Sequence, residues 1–152
     1  MDPIDLRYGD NSRLGGADIT ISLTPTQYEA IHDEVENLGG WLHAALWALA
    51  RLRTHEDTAG HPYISGPNDW HVAINTLDKH LLPRLEGIRD AMIRTHANAG
   101  GSLQNLATSM DVSRSTAQYR RDRVLKGKDR PSTWENWATG DLRIDPQDVS
   151  DR

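Results

Sequence analysis

The segment at residues 113–126 combines side chains that can read the edges of DNA bases. Arg114 can donate two hydrogen bonds to guanine, and Gln118 can form a bidentate pair with adenine. Helical spacing gives the segment one outer face, formed by Ser115, Gln118, Tyr119 and Asp122, with Arg114 at its N-terminal end. The spacing therefore predicts base reading by Arg114, Ser115, Gln118 and Tyr119.

A second set of side chains is suited to the phosphate backbone. These hydroxyl and basic groups are Ser113, Thr116, Arg120, Arg123, Lys126 and Lys128. Phosphate contacts set affinity and register and carry no direct sequence information. Arg121 is expected nearer the buried side, where it would pair with a carboxylate of the body.

Two short helices joined by a tight turn are predicted over residues 102–126. Apolar side chains recur at helical spacing in the first half, at Leu103, Leu106, Ala107 and Met110. Ser113 then suits the N-cap of a second helix, because its hydroxyl can accept from free backbone N–H groups. The small Ala107 allows the second helix to cross closely, and Val112 fills the corner between them.

These residues carry a family resemblance. Ala107, the run MDVSRST at residues 110–116 and the basic run at residues 119–121 resemble the helix-turn-helix of bacterial repressors and resolvase-type DNA-binding domains. The resemblance covers residues 102–126 only, and it implies that the helix starting at Ser113 reads the major groove of double-stranded DNA. The turn position that these proteins usually fill with Gly is Asp111, which tolerates the left-handed backbone region better than most residues.

Charge is distributed unevenly along the chain. The whole chain has a net charge of −5, yet residues 113–130 contain seven basic side chains and two acidic ones. An acidic body would repel phosphate and leave one docking orientation. The alternative is a solvated basic helix that serves no ligand, or a helical hairpin that only packs in a core.

Composition excludes several function classes. The 152 residues include no cysteine, which excludes disulfides and thiol chemistry. The N-terminus lacks the apolar core of a signal peptide, and no apolar run approaches membrane-spanning length. We therefore expect a cytoplasmic protein without membrane contact, and 14 arginines against three lysines favour a bacterial origin. No catalytic motif is present, so we predict a protein that is not an enzyme and needs no cofactor.

The N-terminal region predicts one short strand. Residues 1–17 are interpreted as a flexible arm, and Ile19, Ile21 and Leu23 alternate with polar residues as one buried face of a strand. Its partner is either the segment at residues 142–144 or the same strand of a second subunit. The second option follows a resemblance of ITISLTPTQYEAI to the opening of ribbon-helix-helix proteins, although the helices that follow are longer than in that fold.

Three helical regions are predicted before the joint at residues 97–101. The first starts at the Thr24 cap and ends at Gly39-Gly40. The second, residues 41–52, is apolar almost all round and is expected to be buried at the centre. The third spans residues 68–97 with a kink or break at Pro83, and its length suits a dimerisation surface. The alternative is that this third helix packs wholly inside one monomer.

Residues 54–67 are predicted to form a loop, and they raise one further alternative. The loop carries His55, Glu56, Asp57 and His61, and with His71, His80 and His96 these could form a zinc or nickel site. Their spacing matches no zinc-protease pattern, and loop histidines are usually solvated, so we predict no metal site.

The predicted fold is mainly α. A helical body over residues 18–98 contains the long dimerisation helix, a helix-turn-helix unit occupies residues 99–130, and the short strand lies at the N-terminal side. Residues 131–152 form a C-terminal anchor segment and tail, with Trp134 and Trp137 packing back on the body. The predicted function is a homodimeric transcriptional regulator, of repressor type, that binds double-stranded DNA sequence-specifically. Alternatives are a plasmid- or phage-type DNA maintenance or assembly factor, or a helical interaction module without DNA binding. The sequence names no small-molecule effector.

Overall fold

The computed structural model describes residues 2–57, 59–126 and 131–140. This part of the chain is mainly helical, as predicted, and it has one small two-stranded sheet where a single short strand was expected. The chain divides near Gly39 into two compact units. No helix in the described part of the chain has the length and apolar character needed to cross a membrane.

The first unit opens with a β-hairpin. Strand β1 (Ile4–Tyr8) pairs antiparallel with β2 (Ala17–Ile21), with Ile4 opposite Ile21 and Leu6 opposite Ile19. A 3₁₀ turn at Gly9–Asn11 lies between them. The strand predicted near residue 18 is present, but its partner is β1, a strand that the sequence analysis missed in the expected arm. β1 is close to β2 in sequence, so the loop between them is short and the entropy lost in closing it is small.

Neither partner considered from the sequence for β2 is tested by this hairpin, in which β1 pairs with one edge of β2. The segment at residues 142–144 lies outside the described residues, and pairing with the same strand of a second subunit stays a prediction. The predicted burial of the strand also differs, since Ile19 and Ile21 are 59% and 61% exposed.

Helix α1 (Pro25–Ile31) begins as the sequence predicts. The Thr24 hydroxyl accepts from Gln27 N, and the Gln27 side chain accepts from Thr24 N, so both halves of the capping box are present. The helix ends early, at His32, which adopts φ 18° and ψ −96°.

Helix α2 (Glu34–Thr54) runs straight through the glycines that were expected to end the first helix. A helical glycine costs roughly 1 kcal/mol relative to alanine, which weakens a helix without stopping it. The expected boundary at Gly39-Gly40 is wrong, and the break lies at His32 instead.

The prediction that residues 41–52 form a buried central helix is also wrong. Within α2 only Ala48 is buried. The helix meets the rest of its unit through large aromatic groups: Trp41 stacks on His80, and Trp47 lies 6.3 Å from Trp70 between ring centroids. These side chains occupy the contact face, so the leucines face solvent at Leu42, Leu46, Leu49 and Leu52.

The helix predicted over residues 68–97 forms as a succession of helical segments. They are a 3₁₀ turn at Pro67–Trp70, α3 (His71–Asn75), a π-helical segment at Thr76–Leu81 and α4 (Leu82–Asn98). Pro83 lies in the first turn of α4. Proline lacks an N–H and crowds the carbonyl four residues earlier, and the wider π turn accommodates this without ending the helix.

Within the described residues, three more helices follow α4: α5 (Leu103–Ser109), α6 (Arg114–Leu125) and α7 (Thr133–Ala138). They pack on α4. The best-buried apolar cluster joins α4, α5 and α6 and consists of Ile93, Leu106, Ala107, Ala117 and Val124. The joint at residues 97–101 therefore does not separate α5 and α6 from the body, because α4 contributes to their core.

Candidate nucleic-acid interface

The connection between α5 and α6 is fixed by local hydrogen bonds. The Ser102 hydroxyl accepts from Asn105 N at 3.1 Å and starts α5. The Ser113 hydroxyl accepts from Thr116 N at 3.2 Å and starts α6, as predicted. Asp111 adopts φ 49°, the left-handed conformation that the sequence analysis expected at this turn. The left-handed turn at Asp111 and the Ser113 cap together fix the direction in which α6 leaves α5.

The inner side of α6 is made of small and branched apolar residues. Ala117 is fully buried, and Ala107 of α5 is 3% exposed. Two alanines at the contact allow close approach of the helices, and Val124 extends the buried side toward the C-terminal end of α6. The packing leaves the other side of α6 facing solvent.

The four predicted base-reading residues share that solvent face. Arg114, Ser115, Gln118 and Tyr119 are all exposed, and Tyr119 is 68% exposed. The Ser115 hydroxyl lies 3.0 Å from the Ser113 hydroxyl, so it already has a local partner. Arg114, Gln118 and Tyr119 are thus the side chains that extend outward.

The predicted phosphate contacts border the same face but differ in their surroundings. Ser113 and Thr116 join their hydroxyls at 2.9 Å, and Arg120 is half-buried. Lys126 pairs with Asp122 one turn earlier, at 2.9 Å from Nζ to Oδ2. Lys128 lies outside the described residues.

Arg123 occupies the role that the sequence analysis gave to Arg121. The body carboxylate of Asp90 lies 3.9 Å from Arg123 Nη2, while Arg121 is half-buried on the neighbouring side of α6. The expectation that a basic residue of this helix approaches a body carboxylate is met by a different arginine.

Arg94 is a residue that sequence reasoning missed. Its Nε donates to Glu135 Oε1 at 2.9 Å, and its Nη2 donates to the Val124 carbonyl at 2.7 Å. The last carbonyls of a helix lack partners within it, so Arg94 satisfies one near the end of α6. The spacing of Ser132 and Glu135 indicates the capping box at the start of α7, but it does not identify Arg94 as the partner of Glu135.

The tryptophans of α7 pack back on the body around a buried arginine. Arg84 is 4% exposed, and its guanidinium carbon lies 4.9 Å from the ring centroid of Trp134 and 5.4 Å from that of Trp137. Trp41 of α2 covers the same cation at 4.2 Å. Cation–π contacts of this kind stabilise a charge that is removed from water. The indole rings are thereby used in packing.

The histidine-rich loop has no clustered metal ligands among the described residues. Nowhere in the described ranges do three or more His, Asp or Glu side chains lie close enough together to hold an ion. Asp57 instead accepts from the backbone N–H groups of Ala59 and His61, each at 2.9 Å, which shapes the turn.

Comparison of the chain with family models, with curated proteins and with solved structures found no match.

Proposed function

We propose that this protein binds double-stranded DNA sequence-specifically, as a homodimeric transcriptional regulator in which α5 and α6 act as a helix-turn-helix. The observation that carries the proposal is the two-sided character of α6. Its small apolar side is buried on α5 and α4, while Arg114, Gln118 and Tyr119 extend from the opposite side. The sequence resemblance of residues 102–126 to repressor and resolvase-type domains supports the same reading.

The dimensions of α6 suit the major groove. An α-helix with its side chains is about 10–12 Å across and the groove is about 12 Å wide, so the N-terminal turns of the 12-residue α6 can enter it. Arg114 would then pair with guanine and Gln118 with adenine. Tyr119 and Ser115 would line the neighbouring base edges. This is the docking mode in which the N-terminal residues of the second helix read sequence.

Charge around α6 favours binding to phosphate. Arg120, Arg123 and Lys126 flank the base-reading face, and Lys126 neutralises Asp122, the acidic residue on that face. Two copies of α6 in a dimer would read half-sites about 34 Å apart, one turn of the DNA helix. The operator should therefore be a palindrome with that spacing.

The test is fluorescence anisotropy of a labelled random-sequence duplex across a salt series. We expect wild type to bind with a steep decrease at rising salt, and Arg120→Ala/Arg123→Ala to lose about one unit of slope per phosphate contact removed. Arg13→Ala/Lys79→Ala serves as the matched control, because it removes the same charge from positions far along the chain from α6. Circular dichroism of each variant checks that the helices remain.

Two results would overturn the proposal. One is the absence of binding by wild type at low salt, and the other is an equal change of slope in the control and the α6 variant. If binding is found, selection of duplexes from a random library identifies the cognate site.

A further inference from the structure

An exposed apolar stripe runs along α2. Leu42, Leu46 and Leu49 are spaced by four and three residues, so they share one face of the helix. They are 43%, 53% and 44% exposed, and Leu52 at the edge of the stripe is 58% exposed. A leucine alone at the surface is ordinary, but an aligned set is typical of a helix that packs against a partner.

The stripe has no charges to keep it in water. Residues 37–50 contain no Asp, Glu, Lys or Arg, whereas charged residues make up 26% of the chain. A helix face made for solvent normally carries charges at most of its turns. In a protein with a net charge of −5, an uncharged face is also where two copies can approach with least repulsion.

A shallow groove extends the apolar surface beside the stripe. It is lined by His43, Ala44 and Trp47 of α2 and by Val72 and Ala73 of α3, with the carboxylate of Asp69 at one side. His43 and Trp47 flank Leu46 on α2, so groove and stripe are continuous. Val72 is 78% exposed at the groove and provides a second apolar contact.

We propose that α2 is the self-association surface of this protein, with two copies packing antiparallel through Leu42, Leu46 and Leu49. The spacing of the leucines follows the alternating three and four residues of helix–helix seams. The two ends of α2 carry opposite charges, with Glu34 and Glu36 in the first turn and Arg51 and Arg53 in the last. An antiparallel arrangement of two identical helices brings each acidic end beside the basic end of the other copy.

A second copy therefore fits the surface better than an unrelated partner. The same helix supplies both the apolar stripe and the complementary charges, as a two-fold interface requires. Opposed helix dipoles favour the same antiparallel orientation. The inference adds the contact surface to the proposed homodimer, and it moves that surface from residues 68–97, where the sequence analysis placed it, to α2.

Sedimentation velocity over a range of protein concentrations tests the surface without DNA. We expect wild type to sediment as a dimer, and Leu46→Lys and Leu49→Lys to shift to monomer with at least a tenfold weaker dimerisation Kd. Ile64→Lys is the matched control: Ile64 is 96% exposed and lies outside the stripe, so this variant should remain dimeric. Retained helical circular dichroism shows that a monomeric variant is folded.

Charge reversal tests the orientation. Glu36→Arg and Arg53→Glu should each weaken the dimer about two- to fivefold, as expected for exposed ion pairs, and the combined variant should restore it. A wild type that is monomeric at every concentration, or a Leu46→Lys variant that dimerises like wild type, would overturn the surface. If the combined variant does not recover the dimer affinity of wild type, the antiparallel orientation is wrong.

Failure of the DNA proposal has a different signature. Wild type would then sediment as a dimer, lose its dimer in Leu46→Lys, and show no salt-dependent DNA binding. If both proposals hold, Leu46→Lys binds a single half-site duplex like wild type but loses the gain in affinity from a two-half-site duplex.

Discussion

Arg94 and Glu135, 41 residues apart in the chain, form an ion pair of 2.9 Å that joins α4 to α7. The side chain of Glu135 is 5% exposed and that of Arg94 is 19% exposed. Glu135 Oε2 also accepts from Ser132 N at 2.8 Å, and Arg94 reaches the Val124 carbonyl of α6. The Arg94 guanidinium therefore links α4 to the start of α7 and to the end of α6.

Replacing Arg94 should destabilise the protein strongly. Arg94→Met leaves the buried Glu135 carboxylate without its cation and the Val124 carbonyl without its donor, at a cost of roughly 3–5 kcal/mol. Arg89→Met is the matched control, because its partner Asp90 is adjacent in sequence and Arg89 is 39% exposed; the loss there should be under about 1 kcal/mol. Urea unfolding measures both, and similar losses would contradict the role of the pair.

The close approach of α4 and α7 gives a second prediction. A Cβ placed on Gly87 would lie 2.5 Å from the Trp134 carbonyl oxygen, and backbone cannot turn aside as a side chain can. Gly87→Ala should therefore destabilise the protein by about 1–3 kcal/mol. Gly39→Ala is the opposite case, because α2 offers open space there, and it should stabilise by about 0.5–1 kcal/mol. Thermal unfolding of the two variants distinguishes them, and a stabilised Gly87→Ala would contradict this contact.

Much of the local structure was predictable, because caps and turns depend on neighbouring residues. As predicted, the side chains of Thr24 and Ser113 cap their helices, and Asp111 adopts the left-handed backbone conformation. Helical periodicity likewise placed Ala107 on the buried face of α5, where it packs in one cluster with Ala117 of α6.

The wrong predictions concern tertiary packing, which the local sequence does not determine. Whether Gly39-Gly40 ends a helix depends on the packing around it, and whether residues 41–52 are buried depends on what covers the leucines. β1 was missed because its alternating residues stand in a segment with glycine and charge, and it gains its order from pairing with β2. The contacts of Arg94 could not be predicted from local sequence, because its two acceptors lie 30 and 41 residues further along the chain.

Acid should loosen the loop that precedes α3. The pKa of Asp69 is lowered from 3.8, chiefly because its carboxylate accepts from Gly66 N and then from the Tyr63 hydroxyl. A carboxyl with a lowered folded pKa contributes stability above its unfolded pKa, and that contribution is lost as pH falls through the folded value. We expect wild type to lose unfolding free energy below about pH 4, and Asp69→Asn to lose less over that window.

Urea unfolding followed by tryptophan fluorescence at several pH values checks this dependence. Asp10→Asn removes one exposed carboxylate outside the loop and serves as the matched control for the change in charge. An Asp69→Asn profile that parallels wild type would show that the Gly66 and Tyr63 contacts do not stabilise the folded state.

The two classes of DNA contact proposed for α6 predict different specificity changes. Arg114→Ala should cost about 1–3 kcal/mol on a selected cognate duplex and relax the preference at one base pair, because a bidentate contact to guanine is lost. Lys126→Ala should weaken all duplexes alike and reduce the salt slope by about one unit, because it removes a phosphate contact. Competition anisotropy with the cognate duplex and its single-base variants measures both effects. Equal weakening of every duplex by Arg114→Ala would make Arg114 a phosphate contact and transfer the reading of sequence to Gln118 and Tyr119.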